Sequence, residues 1–294
     1  MPLVTVAIPF YNVEAWLADA VRSVFAQTLE DWELLLADDG STDRSLEIAR
    51  SIQDPRVKVV SDGRNIGRAR RRNSLIGLAE GKYLAWLDAD DLMHPHRLEK
   101  QLALLQADDS IDVVDSAIYC VSEGKPVGIR NKQHLVVDPA IAIRSCLICQ
   151  GSTTGRTDWF RKNPFDETLQ TCEDFELWVR TAACSRFARI YQPLCFVREV
   201  SVPAIDYLKK YLNSCRDVRR IIKRYGRELV GARGMTQLIA ASYAKAIVYC
   251  LFTMLGMQQK LTASRGSPLT AEQWLEACSV VERIRSTRLP CRDH

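Results

Sequence analysis

Apolar positions along the first 120 residues switch repeatedly between two periods. Residues 3–8 (LVTVAI) form a continuous β-branched run closed by Pro9, which predicts a buried strand. Val13, Trp16, Leu17, Ala20, Val21 and Val24 then recur at helical spacing. Residues 32–37 (WELLLA) predict a second strand, ended by Asp38-Asp39-Gly40. Ser41 stands where a helix cap would, ahead of a helix with Leu46, Ala49 and Ile52 on one face. Residues 57–60 predict a third strand, 68–79 a helix, and 83–87 a fourth strand ended by Asp88-Ala89-Asp90-Asp91. A helix carrying Leu98, Leu102 and Leu105 and a strand near 112–119 complete the series. Strands alternating with helices specify βαβ units and a mostly parallel α/β sheet. Ligands of such sheets sit at the carboxyl ends of the strands. The carboxylates at 38–39 and 88–91 both follow strands directly, so both belong to that rim.

The later pattern is different. Residues 120–170 read as irregular, punctuated by Gly124, Gly128, Gly151, Gly155 and Pro164. A helical pattern returns at 173–184, and no strand is expected after about residue 203. There Tyr207, Leu208, Tyr211, Leu212, Cys215, Val218, Ile222 and Tyr225 share one helical face, with Lys209, Lys210, Arg216, Arg220, Lys223 and Arg224 largely off it. An apolar helix follows at about 236–257, interrupted by Lys245.

Composition narrows the class. The 294 residues are 47% hydrophobic and 26% charged, which excludes a disordered chain or a small disulfide scaffold. A net charge of +4 is too mild to announce a nucleic-acid binder. Arg68, Arg70, Arg71 and Arg72 spread around their predicted helix without interleaved aromatics, so no nucleic-acid partner is expected. Ten cysteines are scattered, and their one close pair, Cys146 and Cys149, lacks the second pair a zinc site would want. Free thiols in a reducing cytoplasm are expected. No basic segment followed by an apolar one opens the chain, so no signal peptide is expected.

The candidate chemistry starts at Asp88 and Asp90. Carboxylates at i and i+2 leaving a strand can converge on one hard divalent cation. Such an ion neutralises a departing diphosphate. An acidic turn with a helix cap is the bland alternative for this segment alone. Its neighbours add context: Pro9-Phe10-Tyr11-Asn12 after the first strand, Asp38-Asp39-Gly40-Ser41-Thr42-Asp43 after the second, Asn65-Ile66-Gly67 before the arginine cluster, Gly81-Lys82-Tyr83 leading into the acidic strand end, and Cys172-Glu173-Asp174-Phe175-Glu176-Leu177-Trp178-Val179-Arg180. In this order, over about residues 3–180, they resemble the family 2 glycosyltransferases.

That resemblance implies a GT-A fold at residues 1–202, with a nucleotide-sugar half (about 1–110) and an acceptor half (about 111–202), followed by a helical region at 203–294. It implies inverting transfer of a sugar from a nucleoside-diphosphate sugar, UDP-sugar favoured, to a hydroxyl of a glycan or lipid-linked acceptor, as in polysaccharide or lipopolysaccharide biosynthesis. Pro9 and Tyr11 would lie at the donor, with the Tyr11 ring stacked on the base. Asp39 would accept a hydrogen bond from the base, which permits uracil, thymine or guanine, while Asp38 orders the turn. Arg72 would reach the base or the phosphates; Arg71 stands where the family has alanine. Asp90 would hold Mg²⁺ or Mn²⁺ through the diphosphate. Asp88 would contact the ribose, or the metal through water, and Asp91 would cap the next helix or orient the sugar. His94 and His96 read as exposed helix-start residues rather than ligands. Asp174 would be the catalytic base, kept ionised by its helix N-terminus. Glu173 would contact a loop or the acceptor, and Glu176 with Arg180 would form a surface pair. Trp178 reads as core, with an acceptor-facing edge as the alternative. The small and hydroxylated segment 151–156 would leave room for an acceptor sugar.

Two rivals stand beside this reading. One is a catalytically silent scaffold that binds nucleotide-sugar. The other is a sugar-nucleotide pyrophosphorylase, whose Gly-rich basic signature should follow the first strand, where Pro9-Phe10-Tyr11-Asn12 stands instead. Residues 201–230 hold eight basic and three acidic side chains, a net +5. A basic amphipathic helix followed by an apolar one can lie on an anionic bilayer, or pack on the rest of the chain or a second subunit. Lys245 in mid-stretch argues for a buried or interfacial helix over a spanning one. The expected location is the cytoplasm, peripheral at the inner face of the membrane.

Overall fold

The computed structural model describes residues 1–199, 204–255 and 266–291. Its first half alternates as the pattern predicts: β1 (Val4–Phe10), α1 (Leu17–Phe25), β2 (Trp32–Asp38), α2 (Ser45–Ser51), β3 (Val57–Val60), α3 (Arg68–Leu78) and β4 (Tyr83–Trp86). These strands pair in parallel in the order β3-β2-β1-β4, with Ala7 opposite both Leu35 and Trp86. The sheet is buried on both faces, as parallel sheets are. Val6, Ile8, Leu34 and Leu36 face α1 and its Leu17 and Val21, while Ala7 and Leu35 face α3 and its Leu75. Strand order reverses between β1 and β4, and the crevice at such a switch point is where an open α/β sheet binds its ligand.

The strand pattern departs from expectation in three places. β1 continues through Pro9 to Phe10, because the β1–β4 register ends at Ala7 and no ladder bond is needed from Pro9 on that side. Ser41 caps no helix: Arg44 precedes α2, and the Ser41 hydroxyl accepts the Asn12 N–H at 3.1 Å. The sheet is mostly parallel, as expected, but its second half is mixed. After β5 (Leu92–Met93) and α4 (Arg97–Ala107), β6 (Val113–Ser122) pairs with β7 (Lys125–Arg130) and β8 (Thr154–Arg156) antiparallel and with β9 (Phe187–Arg198) parallel. The segment 120–170 thus holds two strands and two short helices, α5 (Pro139–Ala142) and α6 (Thr157–Lys162). β9 has no readable alternation, because its register against β6 shifts where Pro193 sits.

α7 (Glu173–Thr181) follows the loop after α6. α8 (Ala204–Met254) reverses at Gly231, whose φ of 72° is left-handed. Its two arms run antiparallel: Met235 meets Gly226, Arg219 Nη1 lies 3.4 Å from Ser242 Oγ, and Tyr211 stacks on Tyr249 at 3.7 Å. The first arm packs Ile221 and Ile222 on Phe175 and Val179 of α7. α9 (Ala271–Ser286), entered through a capping box at Thr270 and Gln273, returns to the sheet and buries Ala277, Val281 and Ile284 against Tyr119 and Phe196.

Candidate active site

The carboxyl ends of β1, β2 and β4 open onto one cleft, which α3 and the start of α7 close. Arg72 joins its two walls. Its guanidinium is 3% exposed, donating from Nη1 to Glu173 Oε1 at 2.8 Å and from Nη2 to Asp88 Oδ1 at 3.1 Å. The acidic strand end and the α7 acids, 85 positions apart between Asp88 and Glu173, therefore share one cation. Arg68, one turn earlier and 60% exposed, sits 3.6 Å from the same Glu173 oxygen. Glu173 itself is 1% exposed, and its Oε2 has no protein partner among the described residues.

The acids are tuned by burial and by one another. Burial, then the charge of Glu173, raises the Asp174 carboxyl above its ordinary value, against the pull of Arg72 and a 2.8 Å bond from the Phe175 N–H. The shift runs against the pull of the helix terminus, with desolvation as its largest cause. Burial and then Asp88 likewise raise Asp90. Asp91 is raised further, by burial and then Asp90; it is 3% exposed and takes the β9 Arg198 N–H at 2.9 Å, so it caps no helix. Asp88 stays 41% exposed and is approached closely from α3 and from Gly151, where a Cβ would lie 2.9 Å from its Oδ2.

At the β2 end, Asp38 is fully buried and orders the turn, accepting from Ser41 N–H at 2.9 Å and from the Ser61 hydroxyl at 2.8 Å. Asp39 accepts from Ile66 N–H at 3.0 Å and Gly67 N–H at 3.2 Å, with Arg71 Nε at 3.3 Å. Arg71, where the family has alanine, thus spends its charge on Asp39 and Asp62. Tyr11, just past β1 and Pro9, is 47% exposed over this end of the cleft.

Several side chains fall elsewhere. Trp178 is 3% exposed, stacked on Trp159 and edge-on to Phe187, so its core reading holds and no acceptor-facing edge remains. Glu176 does pair with Arg180, at 2.9 Å, but at 1% exposure rather than on the surface, because Tyr225 of α8 covers it and donates to the same oxygen. The hydroxyls of Ser152, Thr153 and Thr154 all point inward, to Cys149 O, Gln150 O and Gln101 Oε1. β8 inserts between β4 and β6, and all three residues are fully buried. His94 is buried, and only His96 is partly exposed.

Sequence reading missed Arg97 and Asp217. Arg97 is fully buried and donates to the carbonyls of Trp86, Gly151 and Thr153, tying the end of β4 to the Gly151 turn under Asp88. Asp217 of α8 is also fully buried and takes both the N–H and the hydroxyl of Thr171 at 3.0 Å, just ahead of Glu173 and Asp174. An arginine between apolar helix positions and an aspartate inside a basic helix carry no signal without a partner in view.

A profile of glycosyl transferase family 2 matches residues 5–179. The chain belongs to that family. An uncharacterized glycosyltransferase of Methanocaldococcus jannaschii is 30% identical over 62% of this chain and 65% of its own length. A putative glycosyltransferase, EpsE of Bacillus subtilis, is 33% identical over 61% and 66%. The chain thus matches just under two thirds of these curated relatives. Among solved structures, S. aureus TarS 1–349 in complex with UDP-GlcNAc superposes with a TM-score of 0.60 at 19% identity, over 96% of this chain and 81% of that one. A mannosyltransferase of Pyrobaculum calidifontis in complex with GDP-Man and Mn²⁺ gives 0.59 at 16%, over 97% and 86%. At these identities the likeness establishes the GT-A fold of the family 2 enzymes.

Proposed function

We propose that this chain is an inverting glycosyltransferase that moves a sugar from a nucleoside-diphosphate sugar, a UDP-sugar by preference, to a hydroxyl of a glycan or lipid-linked acceptor. What supports this is the Arg72 bridge, which draws the donor-side acid Asp88 and the α7 acids to one cleft. The exposed ring of Tyr11 offers a stacking platform for the base beside Pro9, and Asp39 has lone pairs left to accept a base N–H. Residues 1–202 would bind both substrates, with 203–294 as their helical support.

Asp174 acts as the base, taking the proton from the acceptor hydroxyl as that oxygen attacks the anomeric carbon. A base works best when its pKa lies near the working pH, so the upward shift of Asp174 suits the task. Glu173, shut behind Arg72, positions rather than touches. No group of three or more metal-ligating side chains is assembled among the described residues. A half-buried carboxylate raised by burial and then by an acidic neighbour, as Asp90 is, fits Mg²⁺ or Mn²⁺ nonetheless, because these ions complete their shells from phosphate and water. Asp90 would hold the ion directly and Asp88 through water. Held there, it would supply the positive charge that a departing diphosphate needs.

Asp174→Asn should keep nucleoside-diphosphate binding by calorimetry and lose roughly 10²–10⁴-fold in transfer rate. Transfer at the wild-type rate would remove Asp174 from the role.

A further inference from the structure

We infer that the α8 hairpin is a docking surface for an anionic lipid bilayer, which its second arm enters side-on. The inference deepens the reading of a lipid-linked acceptor but stands on α8 alone. Ile247, Val248, Leu251, Met254 and Leu255 follow one another at helical spacing, and all are exposed, from 42% at Val248 to 81% at Met254. An 18-residue stretch of this helix has a mean hydropathy of 1.3, with only 11% of it buried. Soluble surfaces rarely carry a contiguous apolar face of this kind, and its presence marks an interaction site.

Charge selects the occupant. Residues 204–255 hold ten basic and three acidic side chains, a net +7, so the rest of a +4 chain carries −3. Of the three acids, Asp217 is fully buried and contributes nothing at the surface. The antiparallel register set by Tyr211 on Tyr249 brings Lys209 and Lys210 level with Leu251, and Lys245 flanks the apolar face on its own arm. Lysines bordering an apolar helix face are what an anionic interface binds. A second copy would set one +7 hairpin against another, with like charges opposed. A membrane span is excluded by the first arm: packed along the second, it would carry Lys209, Lys210 and Arg216 into hydrocarbon. The fold orients the contact, since the first arm also grips the loop ahead of Asp174 through Asp217.

The test is flotation of the full-length chain with vesicles of phosphatidylcholine alone or mixed with phosphatidylglycerol, with nucleoside-diphosphate binding measured on the same samples. Wild type should float with the mixed vesicles, by roughly tenfold or more over phosphatidylcholine alone, and release at high salt. Ile247→Asp with Leu251→Asp should lose at least about tenfold in partition while nucleotide binding is unchanged. Wild type that stays at the bottom with anionic vesicles overturns the inference, as does undiminished flotation of the variant. A stable dimer in sedimentation that this variant splits, without vesicle binding, assigns the face to a second copy and overturns it too. Loss of nucleotide binding with flotation intact tells instead against the glycosyl-transfer reading.

Discussion

Arg72 shows how one side chain sets the character of the cleft. Its two nitrogens are shared between Asp88 and the buried Glu173, one N–H of a fixed planar fork to each. Arg72→Met would take from the buried Glu173 its 2.8 Å partner and leave only Arg68, at 3.6 Å. Breaking a buried pair this way costs about 3–5 kcal/mol, which urea unfolding should read directly. An unchanged midpoint would mean that Glu173 already finds water. His94 makes a separate prediction. Burial, with the charges of His96, Lys100 and Arg283, lowers it from 6.5 to about 4. A depressed folded value means the unfolded chain takes up the proton first, so its stability contribution is full above 6.5 and lost as pH falls towards 4. The shift corresponds to about 3 kcal/mol. His94→Gln should therefore lose less stability than wild type across that window, and parallel losses would clear His94 of the effect. Asp115, raised by burial to about 6 beside Arg189, works in the opposite sense, contributing below 3.8 and losing that contribution as pH rises through 6.

At the level of elements, the start of α7 is held from two sides. α3 reaches it through Arg72, and α8 reaches it through Asp217, with Tyr225 on Glu176 and Arg224 on Asp166 at 2.6 Å extending the grip along the loop. Cys172, between Thr171 and Glu173, has a left-handed φ of 59°, which a non-glycine residue holds only when its surroundings impose it. Asp217→Ala would take the partner from the half-buried Thr171 N–H and hydroxyl, at a cost of about 1 kcal/mol. It should lower the transfer rate at saturating donor while leaving the donor KM in place, because the donor side does not touch α8. A fall in stability with an unchanged rate would show that α8 supports the fold and not the base. The short β8 has a comparable part: it inserts between β4 and β6, and just ahead of it the Gly151 and Thr153 carbonyls accept from Arg97, which keeps the Gly151 turn against Asp88.

Over the whole molecule, Asp88 and Asp90 stay partly exposed at the end of β4, while Asp91 is buried against Arg198. Nucleoside-diphosphate binding should therefore strengthen with Mn²⁺, weaken on chelation, and lose its metal dependence in Asp90→Asn, all by calorimetry. Equal affinity with and without chelator would end the metal assignment. The chain alone determined the β1–β4 half of the fold, the rim on which the carboxylates stand, and the order of the motifs, because local period and turn chemistry are written in neighbouring residues. Long buried runs such as residues 32–37 need no partner in view to be read. Only the tertiary structure decided that Arg72 would bridge Asp88 and Glu173, and that the hydroxyls of 152–154 would be spent on the backbone and on Gln101. It also decided the strands β7, β8 and β9, whose bulged or very short pairings have no period of their own, and the direction of the Asp174 shift. Burial and the distances between remote side chains arise from packing, and packing is settled by every element at once.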